Sequence, residues 1–247
     1  MSIWVEGSVV ENIHWTENLF SLKIDAPIEK FKAGQFTSLG LDFEGERIAR
    51  PYSFLSAPGK QPIEFFFYTA IDGVLSNAMT NLKFGDKIFV KREANGFFTL
   101  EEVPGGETLW LLATGTGVAP YFSILETEEP WRRFKRIVLV HAVRRTADLR
   151  YQNLINKFSD TFHDRFTFRA FVSRESSATA LPGRIPAAII DGMLEKSVGI
   201  ELSADDSQIM LCGNPDMITD SITALKSKGL KKHRRRNPGQ ITVEKYW

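Results

Sequence analysis

Residues 109–120 read LWLLATGTGVAP, in which an apolar run meets a glycine-rich turn. The run Leu109 to Ala113 is continuously apolar, as is typical of a strand buried on both faces of a sheet. The turn Thr114 to Val118 follows it, and we expect a helix from Ala119 to about Glu126. Pro120 falls in the first turn of that helix, where it sacrifices no hydrogen bond. The order of strand, turn and helix predicts one unit of a parallel α/β sheet.

The rest of the second half repeats this alternation. Three more strands are expected, at Arg136 to Ala142, Phe166 to Val172 and Ile209 to Cys212. We expect helices around Leu149 to Phe158 and from about Asp216 to Lys228. Strands that alternate with helices favour a doubly wound parallel sheet.

The first hundred residues have a different pattern, of short β-branched and aromatic segments separated by Gly and Pro. Strands are expected at Ser8 to Val10, Leu19 to Ile24, Phe36 to Leu41, Ile63 to Thr69 and Lys87 to Val90, and one helix at Leu75 to Leu82. This pattern is typical of an antiparallel β-barrel or sandwich. A polar, glycine-rich link at Glu101 to Gly106 marks the boundary. We therefore predict a two-domain β + α/β protein, with domains at residues 1–101 and 102–247.

Composition limits the classes of function that need to be considered. The formal net charge is only +1, so the chain as a whole is not a binder of polyanions. Its single cysteine, Cys212, excludes an internal disulfide and a cluster ligated by cysteines of this chain alone. The start of the sequence lacks a basic and apolar leader, and no apolar run approaches the ~20 residues of a membrane-spanning helix. We expect a cytoplasmic protein that binds neither nucleic acid nor membrane.

Charge is concentrated near the end of the sequence. The run from Lys231 to Arg236 contains five cations and one histidine. Such a run is typical of a solvated face or a flexible tail, and it is also able to dock an acidic partner.

Two segments of the first half suit a cofactor that carries a flat ring and a pyrophosphate. In the turn Arg50-Pro51-Tyr52-Ser53, Arg offers a planar fork of donors for phosphate, Tyr a face for stacking and Ser a small hydroxyl. The alternative is an edge strand with an exposed Arg and a half-buried Tyr. Gly73-Val74-Leu75-Ser76 opens the helix expected here, and its N–H groups form a second anion site. An ordinary helix start is the alternative.

The second half carries the features of a nucleotide site. Glycines in the turn after Ala113 let the backbone approach a phosphate, although a tight strand-to-helix turn explains them as well. Cys212, Gly213, Asn214 and Asp216 follow a strand end, the edge where ligands lie in such sheets. At this position two interpretations of Cys212 are open: it borders a nicotinamide, or it is a buried structural thiol. Arginines at strand ends accommodate a 2′-phosphate, and the candidates are Arg144, Arg174 and Arg184.

No competing motif is present. The sequence contains no nucleophile elbow of the GxSxG type and no GxxxxGK[ST] phosphate loop. Its four histidines lack the spacing of metal ligands, and we predict no metal site; they are His14, His141, His163 and His233.

Taken together, these segments resemble the ferredoxin–NADP+ reductase family, and most closely its bacterial ferredoxin/flavodoxin–NADP+ reductases. The resemblance runs through essentially the whole chain. It rests on the order and spacing of RPYS, GVLS, ATGTGVAP, LCGNPDM and the terminal VEKYW. It implies an N-terminal β-barrel that binds FAD, a C-terminal α/β domain that binds NADP(H), and a ferredoxin or flavodoxin as partner. A monomer is expected.

The resemblance also implies roles for individual residues. Arg50 would bind the FAD pyrophosphate, Tyr52 would stack on the isoalloxazine ring, and Ser53 would lie near its N5 atom. Other residues expected at the FAD are Pro51, Phe66, Tyr68, Thr69, Gly73, Val74, Leu75 and Ser76. Residues expected at NADP(H) are Thr116, Arg144, Ser173, Arg174, Arg184, Cys212, Gly213, Asn214 and Asp216. Ser53 and Cys212 are the candidates for catalysis.

The end of the sequence departs from one branch of the family. Plastid-type members end in a Tyr that covers the flavin, whereas this chain ends Tyr246-Trp247, as some bacterial members do. The resemblance therefore implies an aromatic end that reaches the FAD, and it leaves open which ring covers the isoalloxazine and what Glu244 does. The alternatives are an NAD(P)H-dependent reductase of free flavin or quinone and a non-enzymatic binding module with a basic tail.

Overall fold

The computed structural model describes residues 3–245, which form two compact units. One unit contains the chain up to Thr99 together with Ala119–Thr127, and the other contains Leu100–Val118 and the chain from Glu128 onward. The ranges 1–101 and 102–247 remain a prediction from sequence, and they differ from this division mainly in where Ala119–Thr127 belongs. Among residues 3–245, no helix is long and apolar enough to cross a membrane.

The first unit is built on an antiparallel sheet of six strands in the order β4-β3-β6-β1-β2-β5. The strands are β1 (Trp4–His14), β2 (Leu19–Asp25), β3 (Phe36–Phe43), β4 (Glu46–Ser53), β5 (Ile63–Tyr68) and β6 (Lys87–Lys91). A bridge between Phe54 and Phe65 brings the two ends of the sheet together, so the sheet curls into a half-barrel. Its core contains alternating residues of these strands, because successive side chains of a strand point to opposite faces. Helix α1 (Val74–Met79) is shorter than expected.

Strand β4 is the one strand of this sheet that the sequence analysis did not predict. Residues Arg50 to Ser53, expected as a turn, are the last residues of β4 and pair with Phe36 to Leu39 of β3. Strand β4 stands at one end of the strand order, where a proline is tolerated because its missing N–H breaks no central ladder. The edge-strand alternative therefore describes the backbone of this segment correctly.

The second unit is built on a sheet of six parallel strands in the order β10-β9-β8-β7-β11-β12. The strands are β7 (Thr108–Thr114), β8 (Arg136–Val143), β9 (Phe166–Val172), β10 (Leu181–Pro182), β11 (Ser207–Gly213) and β12 (Ile241–Lys245). The predicted doubly wound α/β domain is confirmed. The strand order reverses between β7 and β11, and ligands of such sheets bind at the carboxyl ends of the strands beside that point.

Within the described residues, six α-helices accompany the strands of the second half of the chain. They are α2 (Ala119–Leu125), α3 (Glu129–Arg133), α4 (Gln152–Phe162), α5 (Ile185–Ile190), α6 (Met193–Val198) and α7 (Pro215–Ser227). Helices α5, α6 and α7 contribute to one core with alternate residues of the strands, among them the fully buried Trp110 and Phe171. Strands β10 and β12 and the short helices α3, α5 and α6 were not predicted.

Helix α2 packs in the first unit, although it directly follows a strand of the second. The Ser123 hydroxyl donates to the Ser56 carbonyl at 2.8 Å, and both groups are buried. The Tyr121 ring lies 5.8 Å from that of Phe98, and Lys60 forms an ion pair with Glu126. These contacts fix α2 on the half-barrel.

Candidate functional site

The turn after β7 is packed tightly against the end of β11. A Cβ atom placed on Gly117 would lie 2.7 Å from the Cys212 carbonyl oxygen and 2.8 Å from the Gly213 Cα. Both are backbone atoms that no side-chain rotation removes. The Thr114 hydroxyl accepts the Asn214 N–H at 2.9 Å, which joins the two strand ends a second time. Gly117 therefore permits the close approach of this turn to the end of β11.

The loop after β11 continues directly into helix α7. Asn214 caps that helix, since its side-chain oxygen accepts the N–H groups of Asp216 at 2.9 Å and Met217 at 3.1 Å. Cys212 itself is fully buried, at 0% exposure, while Asp216 is exposed. Of this predicted set, Gly213 and Asn214 shape the backbone at the strand end.

The three arginines predicted at a nucleotide lie at neighbouring strand ends. The Arg174 N–H donates to the Arg144 carbonyl at 3.0 Å, so the segments that follow β8 and β9 remain paired beyond the strands. Ser173 donates to the Val143 carbonyl through its N–H at 3.1 Å and through its hydroxyl at 3.3 Å. Arg184 follows β10, the next strand of the sheet, and all three arginines are exposed. The fold thus collects three cations along one carboxyl edge.

A carboxylate orders the segment that carries Arg144. Glu175 accepts the Thr146 N–H at 2.8 Å, and this hydrogen bond holds the pKa of Glu175 below its usual range. An ionised Glu175 is thus part of the same edge and fixes the short 3-10 turn Thr146–Asp148.

His141 is a functional candidate that the sequence analysis counted only among scattered histidines. It lies on β8 opposite Ala113, and its Nε2 atom is 2.8 Å from the Gly115 carbonyl oxygen. Burial lowers the pKa of His141 to about 4, against a weaker opposing effect of the Gly115 hydrogen bond. The sequence does contain a signal for it. His141 is a polar residue within the apolar run 137–142 of a strand that is predicted to be buried on both faces.

The residues of β4 that were predicted at the FAD differ in how exposed they are. Arg50 and Pro51 are exposed, Tyr52 is half-buried and Ser53 is buried. The Arg50 guanidinium donates to the Ala49 carbonyl at 2.8 Å, and the Tyr52 ring stands edge-on to Phe67 at 5.8 Å. Burial raises the pKa of Tyr52 to about 12, although the Arg50 charge opposes this. Arg50 and Tyr52 thus point to one face of the strand, and the buried Ser53 points to the other.

The remaining predicted residues of the first unit lie on β5 and at α1. On β5, Phe66 and Tyr68 point to the face opposite Phe65 and Phe67, which belong to the core. Thr69 follows them, and its hydroxyl donates to the Asn18 side-chain oxygen at 3.2 Å.

At α1, a Cβ on Gly73 would lie 2.5 Å from the Ser76 hydroxyl and 2.7 Å from the Ala70 Cβ. That hydroxyl accepts the Ala70 N–H and donates to the Gly73 carbonyl. Leu75 is buried, and Val74 is exposed.

The basic run is a structured connection and not a tail. A bridge pairs Lys232 with Ile241, the first residue of β12, and a second bridge pairs Arg234 with Asn237. Arg235 forms a bidentate ion pair with Glu102, at 2.6 and 2.9 Å. The flexible-tail interpretation was therefore wrong, because the final strand β12 follows the run. The predicted Tyr246 and Trp247 lie outside the described residues.

Two family models match the two halves of the chain. Residues 8–97 match the oxidoreductase FAD-binding domain, and residues 111–222 match the oxidoreductase NAD-binding domain. The chain therefore belongs to the class of oxidoreductases that combine a FAD-binding with an NAD-binding domain.

Individual relatives narrow this class. The chain is 46% identical over 248 residues to the flavodoxin/ferredoxin–NADP reductases of Escherichia coli (strain K12) and Shigella flexneri, with 100% of each chain covered. It is also similar to the crystal structure of a ferredoxin NADP+ reductase from Neisseria gonorrhoeae with bound FAD and NADP, at 32% identity and a TM-score of 0.94, covering 99% of both chains. The chain belongs to the flavodoxin/ferredoxin–NADP reductase family.

Proposed function

We propose that this protein is an FAD-dependent oxidoreductase that transfers electrons between NADPH and a ferredoxin or flavodoxin. The observation that carries this proposal is the full-length identity to relatives of that name, on a fold whose carboxyl edge collects Arg144, Arg174 and Arg184. A cytoplasmic location and a monomeric state are predictions from the sequence and part of the same proposal.

The residues of the half-barrel fit FAD. The exposed guanidinium of Arg50 suits the pyrophosphate, and the half-buried ring of Tyr52 suits the isoalloxazine. A Cβ on Gly73 would collide with the Ser76 hydroxyl and the Ala70 Cβ, so a glycine is needed at this helix start, and we propose that phosphate approaches the backbone of Gly73 through Ser76. Ser76 would act there through its backbone N–H, since its hydroxyl is bonded within the protein. Ser53 is proposed near N5, and Phe66, Tyr68 and Thr69 along the ring.

The residues of the α/β unit fit NADP(H). Arg174 and Arg184, with Arg144 and Ser173, are proposed to hold the phosphates of the nucleotide, and a guanidinium grips phosphate through two parallel hydrogen bonds. Thr116 and the loop of Cys212, Gly213, Asn214 and Asp216 are proposed on the nicotinamide side, at the reversal of strand order. Because Cys212 is buried, we propose that it borders the site mainly through the backbone it holds in place.

Each half of the chain would make a distinct contribution to the reaction. Bound FAD supplies the exchange between a two-electron hydride donor and one-electron carriers. The protein orients the ring on Tyr52, places a hydroxyl of Ser53 beside the reacting atom and anchors the nucleotide by its phosphates. Tyr52 stays un-ionised throughout the physiological range because its pKa is about 12, so it contributes no charge beside the ring.

We further propose that the electron carrier is an acidic protein. In the segment Lys231 to Arg236, every residue except the half-buried His233 is exposed, and the Glu102 ion pair neutralises only Arg235. Four exposed cations on a structured segment would attract an acidic protein and accelerate its encounter. We expect Arg234→Ala and Arg236→Ala to raise the KM for the carrier, with the exposed Lys226→Ala as control. Equal effects of all three variants would argue against a docking role for the segment.

The main test is carrier-dependent oxidation of NADPH by the purified holoprotein. We expect a yellow protein with tightly bound FAD that reduces ferredoxin or flavodoxin, and a rate that falls as salt rises. A colourless protein that reduces added free flavin would instead support the flavin-reductase alternative. Binding of nucleic acid without NADPH oxidation would support the non-enzymatic one.

Nucleotide preference tests the arginines separately. We expect Arg174→Ala and Arg184→Ala to raise the KM for NADPH and to leave the KM for NADH nearly unchanged, because only NADPH carries the 2′-phosphate. The control is Arg132→Ala, an exposed arginine on α3. Equal efficiency of the wild type with NADH and NADPH would contradict the assignment.

A further inference from the structure

His141 presents a buried imidazole to the backbone of the turn after β7. The residue is 1% exposed, and its Nε2 atom lies 2.8 Å from the Gly115 carbonyl oxygen. Its other ring nitrogen, Nδ1, is buried and has no hydrogen-bond partner within residues 3–245. A buried polar atom without a partner is uncommon and requires a physical reason.

The partner atom determines which nitrogen of His141 carries the proton. A carbonyl oxygen only accepts, so Nε2 must carry the hydrogen, and the neutral ring then leaves Nδ1 as a bare acceptor. The ring is neutral near pH 7, since burial lowers its pKa to about 4. A leucine would fill this space without an unpaired ring nitrogen, but it would leave the Gly115 carbonyl without this donor. The bond to Gly115 is therefore the specific contribution of the imidazole.

That bond determines the orientation of the next peptide group. Gly115 has a φ of +54°, in the left-handed region, and begins the 3-10 turn Gly115–Val118. Across a trans peptide the carbonyl and the following N–H point in opposite directions. With the Gly115 carbonyl held by His141, the Thr116 N–H must point away from the ring. The turn is held a second time at Gly117, which leaves no space for a Cβ against the Cys212 carbonyl.

We propose that His141 is a positioning residue for NADP(H), which acts by fixing the Gly115–Thr116 peptide so that the N–H groups of the turn face the nucleotide. This inference rests on the proposed function, in which Thr116 lies at the nucleotide. It assigns His141 no contact with substrate and no proton transfer. Its effect is on nucleotide affinity, through the geometry of one peptide group.

The test compares His141→Leu, which removes the donor, with His141→Gln, whose side-chain amide restores an N–H donor at similar reach. Affinity for NADP+ is measured from the change in flavin absorbance of the holoprotein, and KM and kcat from NADPH oxidation with a small artificial acceptor. We expect His141→Leu to raise both the Kd for NADP+ and the KM for NADPH about tenfold, with a smaller change in kcat. His141→Gln should stay within about threefold of the wild type.

Leu139→Ala is the matched control for a purely structural effect. Leu139 is fully buried two residues earlier on the same face of β8, and it has no polar group to offer the turn. We expect it to lower the melting temperature and to leave the Kd for NADP+ within about twofold. If His141→Leu does not fold, the glutamine variant decides, and a loss of more than about tenfold in that variant overturns the proposal.

Two outcomes separate this inference from the proposed function. Wild-type holoprotein that binds no NADP+ and oxidises no NADPH overturns the proposed function, and the inference with it. Wild-type binding together with unchanged affinity in folded His141→Leu overturns the inference alone, as does an equal loss in Leu139→Ala.

Discussion

Gly117 offers the sharpest test of how the turn after β7 packs, because the Gly117→Ala variant adds a single methyl group there. In Gly117→Ala the new Cβ would meet the Cys212 carbonyl oxygen at 2.7 Å and the Gly213 Cα at 2.8 Å. Ordinary contact begins at 3.4 Å, so the turn must move away from β11 by about 0.7 Å. Overpacking of this kind costs about 1–3 kcal/mol. We expect this cost to appear as a lower melting temperature, and we expect the displaced turn to weaken NADP+ binding by about tenfold, which corresponds to 1.4 kcal/mol.

The assay is a titration of the holoprotein with NADP+, followed by flavin absorbance, together with the KM for NADPH. Gly105→Ala is the matched control, because a Cβ there meets nothing within 4 Å and the backbone is not left-handed. FAD content should remain unchanged in both variants, since Gly117 and Gly105 belong to the second unit. If Gly117→Ala binds NADP+ within about twofold of the wild type and melts at the same temperature, the turn does not depend on its contact with β11.

Two further predictions concern stability. The pKa of His141 is about 4 in the folded protein, against an ordinary value of 6.5. The contribution of neutral His141 to stability is therefore complete above about pH 6.5 and is lost as the pH falls towards 4. We expect acidification from pH 7.5 to 5 to lower the free energy of unfolding in urea by about 2 kcal/mol, and we expect His141→Leu to lack this loss. Ser123→Ala removes the donor to the buried Ser56 carbonyl and should cost about 1–3 kcal/mol. The exposed Thr219→Ala is its control, and equal stability of the two variants would refute the role given to Ser123.

The sequence predicted the parts of the fold in which local pattern and tertiary environment agree. Strands β7, β8 and β11 contain apolar runs because both faces of a parallel sheet are covered, so they could be predicted directly from the sequence. The half-barrel was recognisable from its β-branched segments. Strand β4 was not, because at the end of the sheet it accepts Pro51 and Arg50, which count against a strand elsewhere.

Other misses arose from partners that are distant in the sequence. Strand β12 has only five residues, and its pairing with β11, more than twenty residues earlier, makes it a strand. The basic run was interpreted by its charge alone, although Glu102 pairs with Arg235 across 133 positions. The candidate site was predicted residue by residue from motifs. The role proposed for His141 was not, because a side chain that bonds one carbonyl of the turn after a neighbouring strand leaves no sequence spacing to recognise.

Helix α2 has a consequence for anyone who recombines this protein with a relative. Because Ala119–Thr127 packs with the half-barrel, the chain passes between the two units three times, after Thr99, Val118 and Thr127. A chimera spliced at a single junction near Thr99 would carry a foreign α2 onto the host half-barrel, where Ser123 must meet Ser56. A workable chimera takes Leu100–Val118 and the chain from Glu128 onward from the relative, and it keeps Ala119–Thr127 of the host.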